Sequence, residues 1–523
     1  MKIPDPEGPE LFFGLVAPVG VDLQKVTDYL SASLRRVRYT PEPLIHLARL
    51  VRDAGDRWRN LPTEPFDVYV NEHMTAGDEL REATGLNEAM AILGIGAIQK
   101  ERQNKFRESH PSASPDSGTL RRRAYIIRSL KHPAEVQTLR EVYGPAFYVV
   151  AVHGCHHERV EYLAKRTAQS RGSMSGQDDF KGTAEDLIKR DLEELDIPYG
   201  QKLRDTFHRA DVFFDIDREG AGLESEIERF VELIFGNLFR TPTKAEYAMF
   251  HAAAAALRSA EPGRQVGAAI ATDDGDIVAV GTNEVPKAHG GLYWCDDPID
   301  RRQFQLGEDS NQAQKRILIS ETLEYLRRAK WLRTDLMTLS RDDLLRLALD
   351  AEKPALPRRS QIRGLIEFGR AVHAEMAALI DAARRGVSVQ GTTMYVTTFP
   401  CHLCARHIVA AGIKAVYYIE PYPKSLARPL YPDSIALESA DRAGAIRNQI
   451  PFEPFVGVAP RIYFDLFSAS ERRKDDDTLN LFDATSATPR FGAIPRVYID
   501  KEKLMGGVLT SKLQPTLFPM DMD

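Results

Sequence analysis

Thr392-Thr393-Met394-Tyr395-Val396-Thr397-Thr398-Phe399-Pro400-Cys401-His402-Leu403-Cys404-Ala405-Arg406 is the stretch of this chain that decides its fold. The β-branched and aromatic first half predicts a strand, and the run from Ala405 to Gly412 predicts a helix with a glycine stop. Cys401 then sits near a helix N-terminus, with Cys404 one turn later on the same face. The helix dipole and a bound cation both favour thiolate there, the form that ligates metal. Outward along the chain, His373-Ala374-Glu375 opens a second helical stretch, Ala374 to Arg385. His373, Cys401 and Cys404 make a three-ligand set for Zn2+, and a catalytic zinc site takes three protein ligands and leaves the fourth position to water. Glu375, two residues beyond the histidine, is an acid that the metal does not require. The competing reading is a structural Cys/His zinc site or a redox pair. A structural site wants a fourth ligand, and a C-x-x-C alone leaves the histidine and glutamate unexplained.

These residues form the pattern H-x-E…P-C-x-x-C, which resembles that of the zinc deaminases attacking C4 of cytosine or C6 of adenine. Upstream, Arg264-Gln265-Val266-Gly267-Ala268 leads into two predicted strands, Val266–Ala271 and Asp276–Gly281, joined by the turn residues Asp273-Asp274-Gly275. Gly281-Thr282-Asn283 follows. In this order the motifs resemble the deoxycytidylate deaminase branch of the cytidine deaminase superfamily. The resemblance implies an α/β fold, a three-layer domain with a mixed sheet and helices, and it implies Glu375 as the catalytic residue. Zinc makes hydroxide available near neutral pH. Hydroxide attacks the amidine carbon, and Glu375 carries the proton from water to the ring nitrogen and helps ammonia leave. The resemblance also implies that Asn283 contacts the deoxyribose. An asparagine in a turn is otherwise simply tolerant of left-handed backbone.

Lys and Arg number 69 against 75 Asp and Glu, a formal net charge of −6. Nucleic-acid binders show a basic footprint, so a free deoxycytidine nucleotide is the expected substrate rather than a strand. Arg121-Arg122-Arg123 lies in the other half of the chain and reads as a solvated loop. Lys424 and Arg428, after the predicted strand Ala415–Glu420, are candidates for phosphate contact, as is Arg264. Surface cations on a loop are the plain alternative for each.

The first 240 residues alternate strands and helices: Leu11–Ala17, then Leu23 to Leu34, and later Phe147–Val152, then Arg159–Arg166. Such alternation predicts a parallel sheet covered on both faces. The first strand, turn and helix resemble a P-loop nucleotide kinase, in which lysine reaches the phosphates and Ser/Thr holds magnesium. The aligned stretch here runs Ala17, Pro18, Val19, Gly20, Val21, Asp22, Leu23, Gln24. Leucine replaces the lysine, glutamine replaces the hydroxyl, and Asp22 repels phosphate. Arg128 stands where an acidic magnesium partner belongs. The expectation is a kinase-like fold without phosphoryl transfer, serving regulation. With Pro198-Tyr199-Gly200-Gln201 and Arg240-Thr241-Pro242-Thr243, the chain resembles the bacterial antiphage deoxycytidine nucleotide deaminases. Those proteins deplete dCTP or dCMP during phage infection, and a small RNA holds some of them inactive.

The resulting expectation is a kinase-like domain over 1–240, a deaminase domain over 241–468 with an insertion around 287–365, and a C-terminal extension over 469–523. The insertion is expected to cover the substrate or mediate assembly, with helical runs Gln312–Ala329 and Asp342–Ala351. Cys295 and the cluster His153-Gly154-Cys155-His156-His157 offer further metal-friendly atoms, read as inert packing and a variable loop. Four cysteines and no apolar stretch of about 18 residues fit a reducing cytoplasm without a membrane partner. A homo-oligomer is expected by analogy, with a regulatory nucleotide or small RNA as partner. The alternatives are a housekeeping dCMP deaminase with an allosteric domain, and a nucleotide- or RNA-sensing protein whose zinc merely holds the fold.

Overall fold

The computed structural model describes residues 8–109, 119–172, 176–193, 200–217, 222–351, 353–357, 360–422, 425–437, 449–469, 472–474, 477–491 and 497–517. The chain divides into two compact units. The first takes residues 1–246, 438–444 and 454–523, and the second takes 247–437 and 445–453. The α/β class expected from the sequence holds, with a sheet and covering helices in each unit.

In the first unit, β1 (Leu11–Val16), β2 (Thr40–Pro41), β3 (Ile45–His46), β4 (Arg123–Arg128), β5 (Phe147–His153) and β6 (Val212–Asp215) run in the order β6-β5-β1-β4-β2, with β3 also on β4. Every pairing among them is parallel. All six residues of β1 are buried, as befits a strand covered on both faces. Side chains from elsewhere in the unit lace up the turn after β1. The Val19 N–H donates to Asp191 Oδ2 at 2.7 Å, and Lys131 Nζ donates both to Asp191 Oδ1 and to the Ala17 carbonyl at 2.8 Å. Arg159 Nε donates to the Val19 carbonyl at 2.8 Å. Gly20 has φ +91°, and a Cβ there would meet the Arg159 backbone oxygen at 2.9 Å. Asp22 caps the next helix, Leu23–Arg36, by accepting from the Gln24 N–H.

In the second unit, β7 (Gly267–Ala271), β8 (Ile277–Thr282), β9 (Thr393–Thr398), β10 (Ala415–Glu420), β11 (Ile435–Leu437) and β12 (Ile450–Pro454) run in the order β11-β12-β10-β9-β7-β8. β7 is antiparallel to both β8 and β9, whereas β9 and β10 are parallel. The core joins Ile270, Met394 and Val396 from the sheet to Ala374, Ala378 and Ala382 from the helix Ala374–Arg385. The alanine spacing gives that helix a flat apolar stripe. The insertion forms helices Ser310–Arg328 and Arg341–Leu349, close to the expected runs, around a small core of Ile319, Ala348 and Leu349.

The chain's return to the first unit departs from the expected division. Residues 454–468 were expected to finish the 241–468 domain, and 469–523 to form an appendage. Instead β13 (Gly457–Val458) adds antiparallel to β6, and Phe455 lies edge-on to Phe213, ring centroids 6.0 Å apart. The helix Val497–Leu517 brings Glu502 to Arg102, which also holds Glu10 at 2.9 Å. Tyr498 donates to Glu10 at 2.7 Å. A buried cation and two carboxylates require one another, and this anchors the tail inside the unit.

Candidate active site

Two strand-to-helix turns bring the site together. His373 is extended (φ −68°, ψ 155°) at the N-cap of the helix Ala374–Arg385, and Gly386 ends that helix in the left-handed region. The histidine's approach is pinned by paired backbone bonds between Glu284 and Val372, at 3.2 and 3.0 Å. Cys401 is likewise extended (φ −69°, ψ 165°) at the N-cap of His402–Ala410, directly after β9. Ser425 Oγ holds the Pro400 carbonyl at 2.7 Å.

His373 Nδ1 lies 3.2 Å from Cys401 Sγ and 3.4 Å from Cys404 Sγ. The three donor atoms fall within 4.8 Å of one another. Tetrahedral zinc with ordinary Zn–S and Zn–N bonds asks for donors about 3.5–3.8 Å apart, so the residues fit the ion. Among the described residues this is the group of His, Cys, Asp or Glu that can hold a metal. The His153–His157 cluster does not assemble one, and Cys155 and Cys295 are free thiols.

The electrostatics suit a cation. A hydrogen bond from Cys404 and the nearby His373 hold the Cys401 thiol down to about 4, and the hydrogen bond to Cys401, followed by its charge, raises His373 to about 9. Glu375, 4% exposed, is pushed up to about 7, first by burial and then by the Cys401 charge. His373, Cys401 and Glu375 face a cavity of about 260 Å³. The arrangement offers three metal donors, a proton-carrying acid and a cavity that is partly open to solvent.

The other expected contacts divide. Asn283 lines the cavity, but its amide is engaged: Oδ1 accepts from the Val266 N–H and Nδ2 donates to the Arg264 carbonyl, both at 2.8 Å. Arg264 also lines it, with Nη1 bonded to Glu420 at 2.9 Å. Arg428 lies exposed on the short helix Ala427–Leu430 and is not part of the cavity wall. Lys424 lies outside the described residues.

Sequence reasoning missed several wall residues. Glu261 and Arg370 line the cavity, as do Gln303 and Asn311 from the insertion. Burial raises the Glu261 carboxyl, with Glu284 as the next cause. Glu261 stands in the stretch just before Arg264 and Arg370 three residues before His373, but only the fold shows that they face the metal donors.

Residues 242–420 match the family model described as the cytidine and deoxycytidylate deaminase zinc-binding region. The chain is 50% identical over 54 residues to the deoxycytidylate deaminase of Enterobacteria phage T2, an alignment covering 10% of this chain and 29% of that protein. It is 25% identical over 229 residues to the deoxycytidylate deaminase of Homo sapiens, covering 43% of this chain and 88% of that one. A crystal structure of the dCMP deaminase of cyanophage S-TIM5 in apo form aligns with 41% of this chain and 99% of its own, at 17% identity and a TM-score of 0.21. The chain thus spans under a third of the length of the phage T2 relative that it matches at 50% identity.

Proposed function

We propose that this protein hydrolyses the exocyclic amino group of deoxycytidine nucleotides, converting dCMP, dCTP or both to the uracil nucleotide and ammonia. The observation that carries the reading is the buried Glu375 beside the His373, Cys401 and Cys404 donors, all at one cavity. His373, Cys401 and Cys404 would hold zinc, which when bound would lower the pKa of a water at its open position. Glu375 would take a proton from the attacking water and pass it to N3 of the base, then take the hydroxyl proton of the tetrahedral adduct and pass it to the departing amine, which leaves as ammonia. Asn283 keeps the start of β7 in place through the Val266 and Arg264 backbone, and its position on the wall suits a sugar contact. The alignment with deoxycytidylate deaminases favours a pyrimidine deoxynucleotide, and the engaged Arg264 and exposed Arg428 remain candidates for the phosphate.

Residues 1–240 are read as a kinase-like portion that controls the reaction without phosphoryl transfer. The parallel sheet and the turn after β1, tied to Asp191 rather than open, support this. Antiphage nucleotide depletion is the biological role that the two-part organisation favours. A regulating nucleotide or small RNA, a homo-oligomeric assembly and a cytoplasmic location go with it. No helix among the described residues is long and apolar enough to cross a membrane. The second reading is a housekeeping dCMP deaminase, favoured by the alignment across most of the human enzyme.

Glu375→Ala decides the chemistry. The variant is expected to keep zinc, measured by atomic absorption, and to lose ammonia release from dCMP and dCTP by at least about 10³-fold. Full activity in the metal-replete variant would sink the assignment. Loss of phage protection in cells carrying the same variant is expected for the defence role, and unchanged protection points to the housekeeping one.

A further inference from the structure

The insertion meets the cavity at a side chain whose two polar ends are both committed. Asn311 Nδ2 donates to the Leu365 carbonyl at 3.0 Å, and Asn311 Oδ1 accepts from the Phe368 N–H at 3.3 Å. Those two backbone groups stand at the first and last positions of a four-residue turn, where they would ordinarily bond to each other. Here a single carboxamide, with donor and acceptor side by side, takes both. Aspartate lacks the donor, and an apolar residue lacks both groups.

The clamped segment matters because of where it runs. Residues 365–371 are neither helix nor strand, and Ile366, Gly369, Arg370 and Ala371 line the cavity together with His373 and Glu375. An irregular segment cannot satisfy its own backbone, so its anchors decide its path. Its own backbone bond runs from the Gly369 N–H to the Ile366 carbonyl and is long, at 3.4 Å. At the far end Val372 pairs with Glu284. At the near end Lys315 Nζ donates to the Arg363 carbonyl at 3.0 Å. Lys315 follows Asn311 by one turn of the helix Ser310–Arg328, so the two share a face. Lys315 is buried and stands outside the cavity wall. Asp309 fixes the start of that helix by accepting the Gln312 N–H at 3.0 Å.

We propose that Asn311 is a positioning residue: through it the insertion sets residues 365–371 as the wall against which the substrate packs. This rests on the deamination reading above. Asn311 acts through the segment that it clamps and takes no part in proton transfer. The metal donors have anchors of their own, the Val372–Glu284 pairing before His373 and the Ser425 bond to the Pro400 carbonyl before Cys401. Loosening the clamp therefore weakens substrate binding and leaves the metal site and the chemical step in place.

The test compares the zinc-loaded full-length protein with Asn311→Ala and Lys315→Met, at matched zinc content and below the onset of melting. In ligand-free Asn311→Ala, peptides spanning 365–371 are expected to exchange hydrogen at least about tenfold faster, read by mass spectrometry. KM for dCMP is expected to rise about tenfold while kcat stays within about threefold. Zinc loss to a chelator should keep its rate. Lys315→Met leaves the cavity wall intact and should move exchange and KM the same way by less. It decides alone if Asn311→Ala does not fold. A raised KM with unchanged exchange makes Asn311 a direct ligand contact and overturns the proposal. Faster exchange with unchanged KM makes the clamp structural only and overturns it too, as does a loss confined to kcat or to zinc retention. Unmutated protein that releases no ammonia from dCMP or dCTP refutes deamination, and calorimetric binding of dUMP then replaces KM. Binding about tenfold weaker in Asn311→Ala leaves the clamp standing, and equal or absent binding overturns it.

Discussion

A Cβ at Gly281 would lie 2.1 Å from the Ala374 carbonyl oxygen and 2.4 Å from the Ala378 amide nitrogen. The helix that carries Glu375 therefore rests on bare backbone at β8. Gly281→Ala must push that helix outward, at a cost of about 1–3 kcal/mol. A displacement of even 1 Å at the acid is expected to lower turnover by about 10²-fold. Denaturant melts and ammonia assays on the zinc-loaded variant check both. The same residue shows the limit of reading a site from sequence. His373, Glu375, Cys401 and Cys404 are legible because zinc chemistry demands those residue types at those spacings. Gly281-Thr282-Asn283 reads as a turn that meets a sugar, yet Gly281 serves helix approach and Asn283 spends its amide on the backbone. Glu261 and Arg370 acquire meaning only once distant segments converge on the cavity.

The helix Pro133–Tyr143 begins at a histidine cap. His132 Nδ1 accepts the Ala134 N–H at 3.1 Å, and Glu135 accepts the His132 N–H at 3.0 Å. Nδ1 can accept only while it is unprotonated. Burial, then Arg81, pushes this histidine down to about 3, and burial likewise lowers His153 to about 3. Between these values and the ordinary 6.5, the unfolded chain binds protons that the folded chain refuses. Stability therefore falls as pH drops from 6.5 towards 3. His132→Asn keeps an acceptor at the cap and removes the titration. Its stability relative to the parent should rise on acidification by up to about 1.4 kcal/mol per pH unit, read from urea midpoints at pH 7 and pH 5. Other elements hide from sequence for a different reason. The stretch Asn104–Gly118 is polar and Ser/Gly-rich in sequence, yet the helix Ala89–Ser109 runs through its start. Its Glu, Arg, Gln and Lys are good helix formers, and Arg102, charged yet 4% exposed, breaks the apolar stripe that would reveal it.

At the scale of the whole chain, Arg102 joins a residue near one end, Glu10, to one near the other, Glu502, inside the first unit. Removing the arginine strands two buried carboxylates. Arg102→Met is expected to destabilise this unit by about 3–5 kcal/mol, and truncation before residue 497 should lower the same thermal transition. An unchanged melt in the truncated protein would return the tail to the status of an appendage. No sequence pattern announces this closure, because β13 is two residues long and an ion pair across some 400 positions leaves no local period. The turn after β1 carries a related consequence for control. Asp191 is a resident competitor for the Val19 N–H, tethered at an effective concentration in the millimolar range or above. A phosphate arriving from solution must displace it and also offset its pairing with Lys131. That turn therefore meets an incoming phosphate with its donor already taken, and any phosphate that binds there does so against a standing competitor.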